Sequence, residues 1–183
     1  MDSFCEQIVK KKMGVKEWAI ILLTVVVGLV LIVASWLFIT QLFVFALAGI
    51  CYGGYWLITA QSSEFEYCVT NGSIDVDRII ARRKRVRMVA VSGHKLETLR
   101  PLDMADLNKK YDRRVMVAPS MNEEGLWTFT YRSKRNGYTL VVFQPDNRVL
   151  WELRGGLTKL VQRDTDAAAQ NRGIVITAPR RED

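Results

Sequence analysis

Residues 18–63 read WAIILLTVVVGLVLIVASWLFITQLFVFALAGICYGGYWLITAQSS, 46 residues between Glu17 and Glu64 with no charged side chain. As one helix this stretch would extend about 69 Å at about 1.5 Å per residue. The hydrocarbon core of a bilayer is about 30 Å thick. The segment therefore predicts two crossings, a helical hairpin over 17–61. The first span is expected from Trp18 to Phe38 and the second from Leu42 to Thr59, with Ile39, Thr40 and Gln41 as a very short turn. Trp18 and Trp36 bracket the first span. Tyr52, Tyr55 and Trp56 lie near the end of the second, in keeping with the preference of aromatic rings for the interface. The apolar stretch is too long for a cleaved leader and lacks a small-x-small site, so it reads as a retained anchor.

The flanks set the expected orientation. Lys10, Lys11, Lys12 and Lys16 precede the first span, a basic run follows the second, and the turn between them is uncharged. Positive residues stay inside. Both termini are therefore expected on the cytoplasmic side of the cell (inner) membrane. Residues 1–16 form a cytoplasmic segment in which Phe4 and Ile8 suggest an amphipathic helix. Neither span carries an acidic, basic or histidine residue, which argues against a transporter or channel. The second span holds Ala46, Gly49 and Gly53 at helical spacing. Small residues at that spacing let helices pack closely in lipid, within the chain or between copies.

The rest of the chain carries the net charge. Of 26 basic and 19 acidic residues, 22 and 16 lie in 64–183, a net +6. The three cysteines, Cys5, Cys51 and Cys68, form no CxxC pair, and His94 is the only histidine. No metal site, cofactor or catalytic constellation follows from them.

After Ser63 the apolar pattern changes to alternation. Strands are expected at 65–70, 73–80, 85–91, 95–100, 113–118, 126–133 and 138–143, with Asn71-Gly72 and Asn136-Gly137 as hairpin turns. On the third strand Val86, Met88 and Ala90 are expected to share one face. Trp127, Phe129 and Tyr131 form a core stripe. Asp103 caps a short helix through Tyr111. Behind the cap Asp146, Val149, Leu150, Leu153, Leu157, Leu160 and Val161 fall on one helical face. Residues 164–183 read as a flexible tail.

Seven antiparallel strands followed by one amphipathic helix is the order of a pleckstrin-homology-like barrel capped by a C-terminal helix. The chain resembles an uncharacterised family of small two-span bacterial membrane proteins with a bacterial PH-like domain. The resemblance rests on the opening Met1-Asp-Ser-Phe-Cys-Glu-Gln-Ile-Val-Lys-Lys-Lys and on Tyr67-Cys-Val-Thr-Asn-Gly-Ser-Ile-Asp-Val. It rests also on the basic strand Arg85 to Val91 leading to Leu96-Glu97, and on Phe143-Gln-Pro145 before Leu150 and Leu153. It covers residues 1 to about 163. It implies an α+β membrane protein with the PH-like domain at 64–163, and assigns no activity. In PH domains that bind phosphoinositides a long basic loop joins the first two strands. Here that loop is Asn71-Gly72, with Asp75 and Asp77 close by.

The densest candidate site is Arg78, Arg82, Arg83, Lys84, Arg85 and Arg87, six cations within ten residues at one hairpin tip. A lipid surface is the expected partner, at about 1 kcal/mol per cation near an anionic leaflet. The tip has no interleaved aromatic residues, so nucleic acid is not expected. Trp151 is a candidate edge of a peptide groove beside the last helix, by fold analogy. The expected role is a membrane-tethered, non-enzymatic interaction or scaffold module. Alternatives are a small regulatory subunit that assembles with itself or another membrane protein through the second span, and an enzyme or enzyme subunit acting at the membrane.

Overall fold

The first strand comes from a segment the sequence pattern assigned to a helix. In the computed structural model, which describes residues 4–38 and 40–178, Phe4–Lys10 is strand β1. Phe4 and Ile8 are four residues apart, which suits one helical face, but four residues also return to the same face of a strand. Both are exposed, while Cys5, Gln7 and Val9 are half-buried. The pairing partners lie between 54 and 66 residues further along the chain. β1 runs antiparallel to β2 (Ser63–Thr70), with Phe4 opposite Thr70 and Lys10 opposite Glu64.

The chain divides into two compact units. One comprises Lys12–Ser63 and Ile80–Lys84. It holds α1 (Val15–Phe38), a short 3-10 turn at Thr40–Leu42, and α2 (Phe43–Ala60). Both helices are long and apolar enough to cross a membrane. Ile39, expected in the turn, lies outside the described residues. The threonine and serine hydroxyls within these helices are satisfied by the carbonyls of the preceding turn. Thr24 and Thr59 donate to Ile20 O and Tyr55 O at 2.8 Å.

The other unit comprises Met1–Lys11, Glu64–Ile79 and Arg85–Asp183. Its strands form two four-stranded sheets in place of a closed seven-stranded barrel. The first has the order β1-β2-β3-β4, with β3 at Ser73–Ile80 and β4 at Lys84–Ser92. The second has the order β5-β7-β8-β6, with β5 at Leu96–Pro101, β6 at Arg113–Met116, β7 at Trp127–Ser133 and β8 at Gly137–Phe143. The expected all-antiparallel pattern fails at β6, which pairs parallel with β8. Asp112 extends that pairing at its start. Its N–H donates to Tyr138 O at 2.9 Å and its carboxylate accepts the Tyr138 N–H at 2.7 Å.

The core lies between the sheets and the C-terminal helices. Phe129 and Phe143 meet edge to face at 5.1 Å, and Tyr67 meets Phe143 at 5.8 Å. Trp127, Phe129 and Tyr131 are buried, as the stripe predicts. Burial pushes the Tyr67 hydroxyl up to about 12, and this group donates to Val117 O. On β4 Val86 and Met88 are half-buried between exposed Arg85 and Arg87, as expected, with Met88 against the core, but the phase changes after Met88: Val89 and Val91 are buried and Ala90 is exposed.

The single capping helix is two. α4 (Asn147–Gly155) is capped by the Asp146 carboxylate, which accepts the Val149 N–H at 2.7 Å. α5 runs over Lys159–Gln170. The break puts Leu160 on the surface, 72% exposed, although it fits the face of a continuous helix. The cause is backbone crowding. Gly72, Gly93 and Gly156 pack main chain to main chain, and a Cβ on any of them would collide with another of the three. The Gly93 N–H donates to Gly72 O at 3.0 Å. The expected loose tail is largely packed. Thr165 and Ala169 are buried, and Ile174 and Ile176 lie against the core. The helix expected from Asp103 to Tyr111 is a single turn, α3 (Met104–Leu107).

Candidate functional site

The six-cation cluster resolves into three environments. β3 and β4 are joined at Ala81, Arg82 and Arg83, with the Arg83 N–H donating to Ile80 O at 3.0 Å. Ala81 (φ 53°) and Arg82 (φ 56°) are both left-handed. Two positive φ values match the twist of a tight hairpin, and Asn-Gly is the inexpensive way to provide them. The same sheet uses that solution at Asn71 (φ 48°) and Gly72 (φ 73°). A left-handed non-glycine residue costs about 1 kcal/mol or more, and such strain clusters at functional sites.

The tip belongs to the helical unit. The Ala81 N–H donates to Ser62 O at 2.8 Å, just beyond α2. The Arg83 guanidinium lies 5.9 Å from the centre of the Tyr55 ring. Arg82, Arg83 and Lys84 are exposed. Their segment is thus held at the C-terminal end of α2, beside the aromatic residues that end this apolar helix.

Arg85 and Arg87 have a different environment. Arg85 Nη2 lies 2.8 Å from Glu66 Oε2. Arg87 reaches Asp77 Oδ1 at 3.0 Å and Asp75 Oδ2 at 3.3 Å. Their charge is largely balanced by carboxylates of the same sheet. Burial raises the Glu66 carboxyl above its ordinary range, Arg85 opposes the rise, and Glu6 adds to it. Arg78 is half-buried within β3. A sequence count of six cations therefore overstates the unbalanced charge, because Arg85 and Arg87 are exposed but paired with carboxylates.

Ala46 is half-buried on α2. Gly49 and Gly53 line a cleft of about 510 Å³ together with Gly54, Gly28, Val27 and Leu31. A methyl group built on Gly49, Gly53 or Gly54 meets nothing within 4 Å, whereas one on Gly28 meets Ile50 at 3.7 Å. The close approach between the two helices is at Gly28 and Ile50. Trp151 is half-buried on α4, and the Arg154 guanidinium lies 6.0 Å from its ring centre. Arg154 also holds Asp166 of α5 through Nε–Oδ1 at 2.6 Å and Nη2–Oδ2 at 2.5 Å. A second basic region, around 109–114 and 132–135, is not apparent from the sequence because its two halves are about 20 residues apart.

The family model described as Bacterial PH-like domain (DUF6106) matches residues 1–162. No curated protein and no solved structure matches the chain.

Proposed function

This chain belongs to the bacterial PH-like domain family, and we propose that it is a membrane-anchored, non-enzymatic interaction module whose β3–β4 tip rests on anionic lipid. The supporting observation is the position of Arg82, Arg83 and Lys84 at the end of α2. The Ala81–Ser62 hydrogen bond and the Arg83–Tyr55 contact hold them there. An aromatic belt marks the headgroup level of a spanning helix. Cations at that depth gain about 1 kcal/mol each from an anionic leaflet, so three contribute about 3 kcal/mol. In this reading α1 and α2 cross the inner membrane, and both termini are cytoplasmic.

The test uses the full chain in nanodiscs, because β1 is part of the folded unit and a fragment starting at Glu64 lacks it. Amide hydrogen exchange over 78–88 is compared in zwitterionic discs and in discs containing anionic phospholipid. Anionic lipid is expected to slow exchange at the tip, and Arg82→Glu with Arg83→Glu or high salt is expected to abolish the difference. Equal exchange in both kinds of disc refutes lipid docking.

A second reading is self-assembly through α2, supported by the open space beside Gly49 and Gly53. Gly49→Ile with Gly53→Ile would fill the cleft and reduce the oligomer measured by sedimentation in detergent. An unchanged sedimentation coefficient removes this reading.

A further inference from the structure

The Asp112–Tyr138 clasp that extends the β6–β8 pairing also joins two basic turns. Tyr111 and Tyr138 stack at 5.2 Å, and a Cβ at Gly137 would collide with the Asp112 carboxylate. The loop before β6 is thereby pressed against the β7–β8 turn. Lys110, Arg132, Lys134 and Arg135 are exposed around this junction, and Arg113 is half-buried. Among the described residues none of these five has a carboxylate partner. The nearby acids are engaged elsewhere. Asp112 binds backbone, and Asp106 binds Arg100 and Lys109. This differs from the outer face of β4, where Arg85 and Arg87 are matched by carboxylates.

The surface adjoins an open sheet edge. β6 ends the order β5-β7-β8-β6, so one side of its backbone has no strand partner in that sheet. Val115 is buried, while Arg114 and Met116 point outward, Met116 being 40% exposed. An added strand would meet cations at the start of β6 and an apolar side chain at its end. Open edges take up extended segments in this way, with backbone bonds giving affinity and alternate side chains giving selectivity.

A further observation bears on the choice among anionic partners. The Tyr111 ring already contacts Tyr138 and, at 6.0 Å, the Arg114 guanidinium, so it is not a free platform for a nucleobase. We propose that Lys110, Arg113, Lys134 and Arg135, beside the free edge of β6, bind an acidic extended segment of a partner protein. This surface shares no residue with the β3–β4 tip.

The experiment titrates the full chain in zwitterionic nanodiscs with a fluorescein-labelled peptide of alternating Glu and Val. Saturable binding that weakens with salt is expected. Arg113→Glu, Lys134→Glu and Arg135→Glu together should weaken it about tenfold or more, while Arg82→Glu with Arg83→Glu should leave it unchanged. The same peptide N-methylated at alternate residues keeps its charge and loses strand donors, and should bind far more weakly. The Gln versions of the three substitutions, checked by circular dichroism, give the same loss if the Glu variant fails to fold. No saturable binding of the unmodified peptide overturns the proposal, as does equal binding of the N-methylated peptide. So does a loss caused by the tip variant, or tighter binding of a single-stranded oligonucleotide of equal charge.

Discussion

Lys10 lies opposite Glu64 in the antiparallel ladder of β1 and β2, so the apolar hairpin is the connection between two neighbouring strands. Both ends of that segment return to one sheet. Reporter tags on residues 1 and 183 are therefore expected on the same side of the membrane. Protease protection of one tag and not the other would contradict this arrangement.

β1 is fastened beyond its ladder. The Gln7 amide donates to Gln144 O at 3.1 Å and accepts the Asp146 N–H at 2.8 Å, at the cap of α4. Gln7→Ala leaves two main-chain groups without that partner and is expected to cost about 1–3 kcal/mol. Chemical unfolding in detergent measures the loss, and Gln7→Glu is expected to recover only the accepted bond.

Neighbouring glycines should respond in opposite directions. Gly156→Ala forces a methyl group into the backbone of Gly72 and is expected to destabilise by about 2–4 kcal/mol. A methyl group at Gly155 meets nothing within 4 Å, so Gly155→Ala at the end of α4 should be neutral or stabilising by up to about 1 kcal/mol. Thermal unfolding of the two variants distinguishes them.

Acid should loosen the α4–α5 corner. The Arg154 hydrogen bonds hold the Asp166 carboxyl below its ordinary value of 3.8. A depressed carboxyl stabilises the fold above its unfolded pKa, and the contribution fades as pH falls through the lower folded value. Both side chains are partly exposed, so Asp166→Asn is expected to cost only about 0.5–1 kcal/mol at neutral pH. The difference between the variant and the parent should vanish in strong acid.

Glu66 should behave in the opposite sense. Its folded pKa is raised above 4.5, mainly by burial. Its ionisation therefore opposes folding, and stability falls as pH rises from the unfolded value through the folded one. Glu66→Gln is expected to be neutral or mildly stabilising at pH 7, despite the lost Arg85 contact, and to flatten the pH profile in that window. A large loss of stability at pH 7 would show that the Arg85 pair outweighs desolvation.

The strands β2 to β8 were legible because each alternates and most are bounded by Gly, Pro or Asn-Gly. What escaped depended on remote partners. Phe4–Lys10 has no local turn to reveal it as a strand, since its neighbour follows the apolar hairpin. The parallel β6–β8 pairing joins strands with β7 between them in the chain, so no local turn announces it. The run Asp164–Gln170 is polar and Ala-rich, yet Thr165 and Ala169 face inward and the helix persists. At the tip, sequence located the cations but not the acids that balance Arg85 and Arg87, because Glu66, Asp75 and Asp77 reach them only across the sheet.

The order of synthesis gives the β1–β2 ladder a further consequence. Phe4–Lys10 leaves the ribosome before its partner and has nothing to pair with until Ser63–Thr70 follows. The apolar hairpin emerges in the interval, so the sheet cannot close until all of it has been made. A copy arrested before Ser63–Thr70 would be left with an unzipped edge, the kind of exposed lesion that quality-control proteases act on.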